Sequence, residues 1–201
     1  MNSSLFILDI DRDPPFFFQK PCDSTVDTHG TTPSIVPYPP MTANLHYEAE
    51  LVVAIGKGGL RIKSEEALEC IYGYAIGCDL TRRDLQADAK KMGRPWATAK
   101  GFDSSAPIGP IIPKDEITLH STDRIALEVN GVIRQDSTLG HMTWNVPDII
   151  SHLSKYFCLK PGDLIMTGTP GGVDKLDIGD DVIVSCGKLP KCEFHIGPEE
   201  S

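Results

Sequence analysis

The chain has 201 residues, with Lys+Arg 19 against Asp+Glu 28 and a formal net charge of -9, which argues against nucleic acid or an anionic membrane surface as a general partner. A hydrophobic content of 40% with 23% charged residues describes a folded chain rather than a disordered one. Gly 18 and Pro 16 together favour strands and turns over a helix bundle.

The length predicts one domain over 1–201. The six cysteines (Cys22, Cys70, Cys78, Cys158, Cys186 and Cys192) form no C-x-x-C pair, so they read as mostly buried thiols in a reducing compartment. The start has no basic n-region, and its apolar run Leu5–Leu8 is short. No stretch is apolar enough to span a membrane. The expected location is the cytoplasm, with the mitochondrion as the other option.

In chain order, residues 1–44 read as an extended opening segment, because two proline clusters (14–15 and 37–40) forbid regular helix there. The stretch Asp23–Ser34 within it reads as a surface loop. A strand is expected from 45 to about 56, broken by Gly56-Lys57-Gly58-Gly59. Ser64 is expected to cap a helix running to about Ile71 or Tyr72. Gly73–Cys78 reads as a short apolar strand. Thr81 and Asp84 resemble a capping box for a helix to Met92, with Leu85, Ala89 and Met92 on one face and Gly93 as its C-cap. Ile125–Val129, Asn130-Gly131 and Val132–Arg134 predict a hairpin. Asn145 and Pro147 open a helix carrying Ile149, Ile150, Leu153, Tyr156 and Phe157. Leu164–Thr167 and Asp181–Cys186 read as strands, and the tail from Gly187 as ragged. The fold class is therefore mostly β with three peripheral helices.

Four groups carry candidate chemistry. In a strand, alternate side chains share a face, so His46, Glu48 and Glu50 lie opposite the apolar set Tyr47, Ala49, Leu51, Val53 and Ile55. Two carboxylates on one face repel, and a divalent cation bound by hard oxygen ligands is one remedy. A solvated strand end is the other. Asp79 ends an apolar strand just before a helix, as a functional group or a simple helix-preceding Asp. Arg83 and Gln86 in the first turn of that helix, with Lys100 beyond it, are either salt-bridge partners or binders of an oxyanion or carboxylate. Thr167–Val173 is Gly-rich but lacks the Lys-Ser/Thr of a phosphate loop. It is a plain turn, or a backbone laid close to a ligand with the Thr169 hydroxyl pointing in.

Five blocks in order resemble the fumarylacetoacetate hydrolase family: Pro-Pro-Phe-Phe-Phe-Gln-Lys-Pro (14–21), Asn-Leu-His-Tyr-Glu-Ala-Glu-Leu (44–51), Gly-Cys-Asp-Leu-Thr-Arg-Arg-Asp-Leu-Gln (77–86), Lys-Gly-Phe-Asp (100–103) and Thr-Gly-Thr-Pro-Gly-Gly-Val (167–173). The resemblance implies a mixed β-sandwich roll and a homodimer. It implies Mg²⁺ or Mn²⁺ held by Glu48, Glu50 and Asp79, and a small oxo-acid substrate bound by Lys20, Arg83, Gln86, Lys100 and Thr169, the last four also catalytic. The pattern is most similar to the acylpyruvase-type branch, which implies metal-dependent C–C hydrolysis, with fumarylpyruvate giving fumarate and pyruvate in the breakdown of aromatic compounds. Alternatives are an oxaloacetate-type decarboxylase, which needs no activated water, and a catalytically impaired metal- and oxo-acid-binding remnant. The second arises because the family pattern places a His/Glu dyad on an early lid helix, whereas Met1–Asp13 holds neither His nor Glu. The expectation is a chain without that general base, whose loss costs about 10²–10⁴-fold. His29, on a Gly/Thr loop, is a poor replacement by position, whereas His46 lies on the carboxylate face of its strand.

Overall fold

In a computed structural model that describes residues 14–30 and 32–199, fourteen strands form three sheets around three α-helices. The strands are β1 (Thr25–Asp27), β2 (Ser34–Pro37), β3 (Leu45–His46), β4 (Ala49–Ile55), β5 (Ile71–Cys78), β6 (Thr81–Arg82), β7 (Ala106–Ile108), β8 (Ile112–Pro113), β9 (Arg124–Val129), β10 (Val132–Thr138), β11 (Leu164–Met166), β12 (Lys175–Leu176), β13 (Asp181–Cys186) and β14 (Cys192–Gly197). The helices are α1 (Arg83–Met92), α2 (Ala97–Lys100) and α3 (Val146–Leu153). One sheet runs β1-β7-β5-β4-β11, with β8 also on β5; a second runs β10-β9-β13-β14-β2; a small third runs β12-β3-β6. The β1–β7 and β14–β2 pairs are parallel and the others antiparallel, so the sheets are mixed.

The two larger sheets face each other. Leu51 and Ile76 from the first pack with Leu127, Val184, Phe194 and Ile196 from the second in one buried cluster. Burying each such side chain contributes about 1.5–3 kcal/mol. A second cluster joins Val53, Ile55 and Ile71 to Ile149 and Ile150 of α3. Both clusters lie on one face of β4; on the other face Val52 packs with Ala75, Ala106 and Ile108, so every residue of the strand is buried. The alternation along β4 separates two interiors, not an interior from water.

Gly73 shows how closely the β5–β8 edge is packed: a Cβ there would lie 2.2 Å from the Ile112 carbonyl oxygen. Gly73→Ala should cost about 1–3 kcal/mol through backbone displacement, read as a lower urea midpoint at unchanged slope.

The Asn130-Gly131 hairpin forms with both residues at positive φ, as such turns require. Asn145 caps α3 by accepting from the Asp148 N–H, and Gly93 ends α1 in the left-handed conformation. Other boundaries move. The strand expected from 45 to about 56 is cut at 47–48, and its first two residues join the small sheet. Ser64–Cys70 is a 3₁₀ helix without a side-chain cap, because the Ser64 hydroxyl donates to Asp148 instead. Thr81 sits in β6, and its hydroxyl donates back to the Asp79 carbonyl, so it caps nothing. Asp84 accepts from Thr42 and Ala43. Met92 is exposed, and Gln86 takes the buried place beside Ala89. α3 stops at Leu153, leaving Tyr156 and Phe157 exposed.

The largest correction concerns the two ends. The tail is not ragged: Cys192, Phe194 and Ile196 alternate inward, and β14 lies between β13 and β2. The expected loop 23–34 holds β1. All six cysteines are free, with Cys70, Cys78, Cys186 and Cys192 buried. Burial pushes the thiols of Cys186 and Cys192 up to about 12, so neither is a nucleophile at neutral pH. Among the described residues no helix is long and apolar enough to cross a membrane.

Candidate active site

Antiparallel register brings the three acids together. Ala49 pairs with Cys78 and Glu50 with Gly77, so the next position on each strand sets Glu48 opposite Asp79. The Asp79 N–H donates to the Glu48 carbonyl at 2.8 Å. Gly77, opposite Glu50, adds no side chain to crowd the face. The result is three fully buried carboxylates, with one oxygen from each lying within 4.8 Å of the others.

Three cations reach this cluster from three segments. Arg83, the first residue of α1, donates from Nη2 to Glu48 Oε1 at 2.7 Å and from Nη1 to Gln86 Oε1 at 2.6 Å. Gln86 stands one turn along the same helix face. Lys100, the last residue of α2, is wholly buried and donates to Glu48 Oε2 at 2.8 Å and Asp79 Oδ2 at 2.6 Å. Lys20 arrives from the opening segment, its ammonium 2.8 Å from Asp79 Oδ1. It also donates to the carbonyls of Lys100, Leu80 and Ser105 and to the Ser105 hydroxyl. The aromatic block before Lys20 is packed as well: Phe16 and Phe18 lie against Trp96, and Lys100 stands over the Phe18 ring at 5.0 Å.

Glu48 and Asp79 thus have cationic partners, whereas Glu50 forms no ion pair among the described residues. Its Oε2 accepts from the Gly168 N–H at 2.7 Å, and its Oε1 is buried with no partner among the described residues. Burial, followed by the Asp79 and Glu48 charges, pushes its carboxyl well above the usual range. Asp79 goes the other way: burial opposes its charge, but Lys100 and Lys20 hold its carboxyl below the usual range. Burial likewise opposes the Lys100 ammonium, and Asp79 and Glu48 more than offset it. Burial lowers Lys20, with Asp79 countering in part.

A hard divalent cation fits this donor set. The ligands would be carboxylate oxygens alone, which suits Mg²⁺ or Mn²⁺, and the bare Glu50 oxygen supplies the uncompensated charge. Two buried donors at the same place, Gln86 Nε2 and Arg83 Nε, also have no partner among the described residues. A ligand rich in acceptor oxygens would satisfy both.

Every expected site residue except Thr169 has a side chain in this acid–cation cluster. Thr169 sits on the Gly-rich loop one residue beyond Gly168, which contacts Glu50, and its hydroxyl accepts from Gln135 Nε2 at 2.8 Å. The two histidines weighed as replacement bases are elsewhere. His29 is exposed and pairs with Asp27. His46 hydrogen-bonds Asn44, and burial, then the nearby Arg83, lowers it to about 4. Met1–Asp13, which holds neither residue of the dyad, lies outside the described residues.

Gln135 and Ser105 are buried contributors that the sequence analysis missed. For Gln135 a signal existed. Uninterrupted pairing after Asn130-Gly131 would set Arg134 opposite Leu127, a core residue, and a bulge relieves that conflict by placing Gln135 there instead.

Known proteins resemble this chain over most of its length. Residues 8–197 match the family described as Fumarylacetoacetate (FAA) hydrolase C-terminal. A fumarylpyruvate hydrolase of Ralstonia sp is 44% identical over 185 residues, covering 92% of this chain and 94% of that protein. The mitochondrial oxaloacetate tautomerase FAHD1 of Mus musculus is 41% identical over 187 residues, covering 90% of this chain and 83% of that protein. A crystal structure of fumarylpyruvate hydrolase from Pseudomonas aeruginosa, in complex with Mn²⁺ and pyruvate, superposes with a TM-score of 0.92 at 42% identity, over 98% of this chain and 87% of that one.

Proposed function

The chain belongs to the fumarylacetoacetate hydrolase family, and from that premise we propose that it hydrolyses the C–C bond of a β-diketo acid, fumarylpyruvate giving fumarate and pyruvate. The observation that carries this is the buried Glu48–Glu50–Asp79 group with its bare Glu50 oxygen, beside unpartnered donors on Arg83 and Gln86. Membership of a homodimer, a role in aromatic breakdown and a cytoplasmic location go with the same proposal.

Glu48, Glu50 and Asp79 would hold the ion, which when bound supplies Lewis-acid polarisation of the oxo-acid oxygens. Arg83 and Gln86 donate to the substrate from the atoms now unpartnered, and Lys100 adds a fixed positive charge where the oxyanion develops. Thr169 offers a hydroxyl from the loop. Water adds to the acyl carbonyl, and the bond from that carbon to the methylene breaks. The electron pair leaves on the enolate of pyruvate, and a proton at C3 completes the product. Lys20 is assigned to Asp79, not to the substrate, because its ammonium is already surrounded by protein acceptors.

Purified protein with Mn²⁺ should release fumarate and pyruvate in equal amounts, and chelator should abolish the release. No turnover, with or without metal, would overturn the proposal. The mouse relative's name favours one second reaction, chemistry on oxaloacetate. Enolate stabilisation suffices there, without an activated water. Metal-dependent loss of the oxaloacetate keto or enol signal, with fumarylpyruvate untouched, would select it.

A further inference from the structure

We infer that Gln135 is a positioning residue: its side-chain amide ties the backbone between the two glutamates to the Gly-rich loop and commits the Thr169 hydroxyl to donate to a ligand oxygen. The inference rests on the proposal that Thr169 contacts substrate.

The β10 strand is bulged between Ile133 and Gln135, and the bulge turns Gln135 into the interior, where it is fully buried. There it makes three hydrogen bonds. Its Oε1 accepts from the Ala49 N–H at 2.9 Å, between Glu48 and Glu50. Its Nε2 donates to Thr169 Oγ1 at 2.8 Å and to the Pro170 carbonyl at 2.9 Å. The amide cannot be reversed, because Ala49 can only donate and the Pro170 carbonyl can only accept. The loop is seated on the same bulge. Gly172, at φ +99, lies so close that a Cβ there would stand 2.5 Å from the Arg134 carbonyl oxygen. Glu50 holds the other end of the loop through Gly168.

The Thr169 hydroxyl oxygen accepts from Gln135, so its own proton is directed elsewhere. Thr169 is partly exposed and lines a cavity of about 180 Å³ with Gly168 and Pro170. The hydroxyl is therefore preset as a donor, suited to the acceptor-only oxygens of a carboxylate or 2-oxo group. Without Gln135 the hydroxyl is free to turn its proton onto the Pro170 carbonyl or the solvent.

Gln135→Met tests this, since it adds no charge beside the acid cluster and cannot donate to Thr169 in any protonation state. Gln135→Glu, which keeps the acceptor for Ala49, is the companion variant. In Mn²⁺-loaded protein, pyruvate affinity by calorimetry and kcat/KM for fumarylpyruvate should each fall about tenfold. Mn²⁺ affinity should hold within about twofold. The fall should persist in a Thr169→Ser background and vanish in a Thr169→Val background, where no hydroxyl is left to orient. Amide exchange of the 167–173 segment should quicken in Gln135→Glu and in the apolar Gln135→Met. An equal loss in the Thr169→Val background, or a parallel loss of Mn²⁺ affinity, would overturn the inference and leave Gln135 a packing residue. If wild-type protein does not cleave fumarylpyruvate, the proposed function fails. Pyruvate affinity and exchange then still decide the role of Gln135, and unchanged exchange refutes it.

Discussion

Glu50→Gln should abolish metal-dependent turnover, by roughly 10³-fold or more, and yet leave the metal-free protein at least as stable as wild type. Outer-shell partners of a metal are worth about 10–100-fold, so loss of a ligand should exceed that. The stability half of the prediction comes from the geometry. Glu50 is buried, forms no ion pair among the described residues, and leaves Oε1 bare. Glutamine keeps an acceptor for the Gly168 N–H and removes the charge. Glu48→Gln should lose turnover to the same extent but fail the stability test. Glu48 is the shared partner of Arg83 and Lys100, and removing one side of such a buried pair costs about 3 kcal/mol. Urea denaturation in the presence of chelator, set beside Mn²⁺ titration of each variant, separates the two. Equal destabilisation by both substitutions would mean that Glu50 is held by a charge the structure does not show. Retained Mn²⁺ binding in either would remove the acid group from the metal site.

How much of this was legible beforehand depended on sequence distance. Glu48 and Glu50 could be paired from strand alternation alone, because two residues on one strand need no tertiary information. Their burial could not. It comes from α1, α2 and the Gly-rich loop closing over a strand whose other face is already covered. Asp79 needed the β4–β5 register, which the apolar runs permit but do not fix. Lys20 stands 59 residues before the Asp79 it neutralises, and only the resemblance pointed to it. The tail misled because Gly187 and Pro190 read as turn punctuation, although Cys192, Phe194 and Ile196 keep the period of a half-buried strand. That strand is parallel to its β2 neighbour, and no hairpin announces a parallel pair. Gln135 could be found only through the conflict of Arg134 with Leu127, since an uninterrupted count of two from the turn gives the wrong face.

Lys100→Met should separate metal binding from catalysis. The ammonium sits wholly buried between Glu48 and Asp79, so the cluster of three carboxylates and three cations loses its central charge. Without metal, the variant should unfold more readily by about 3–5 kcal/mol, because two buried carboxylates each lose a partner. Added Mn²⁺ should then stabilise the variant more than it stabilises wild type. In wild type a cation binding these oxygens must displace or share with an ammonium already hydrogen-bonded to two of them, and in the variant it meets no such competitor. Turnover should nevertheless fall by about 10²–10³-fold, the usual cost of removing one charge that stabilises a developing oxyanion. Lys100→Arg should not restore it, since a planar fork cannot occupy a site shaped around a tetrahedral ammonium beneath the Phe18 ring. The decisive pair of measurements is the Mn²⁺-induced shift in melting temperature and kcat on fumarylpyruvate. A larger shift with lost turnover places Lys100 in catalysis. A smaller shift together with retained turnover would make it only a structural counter-ion.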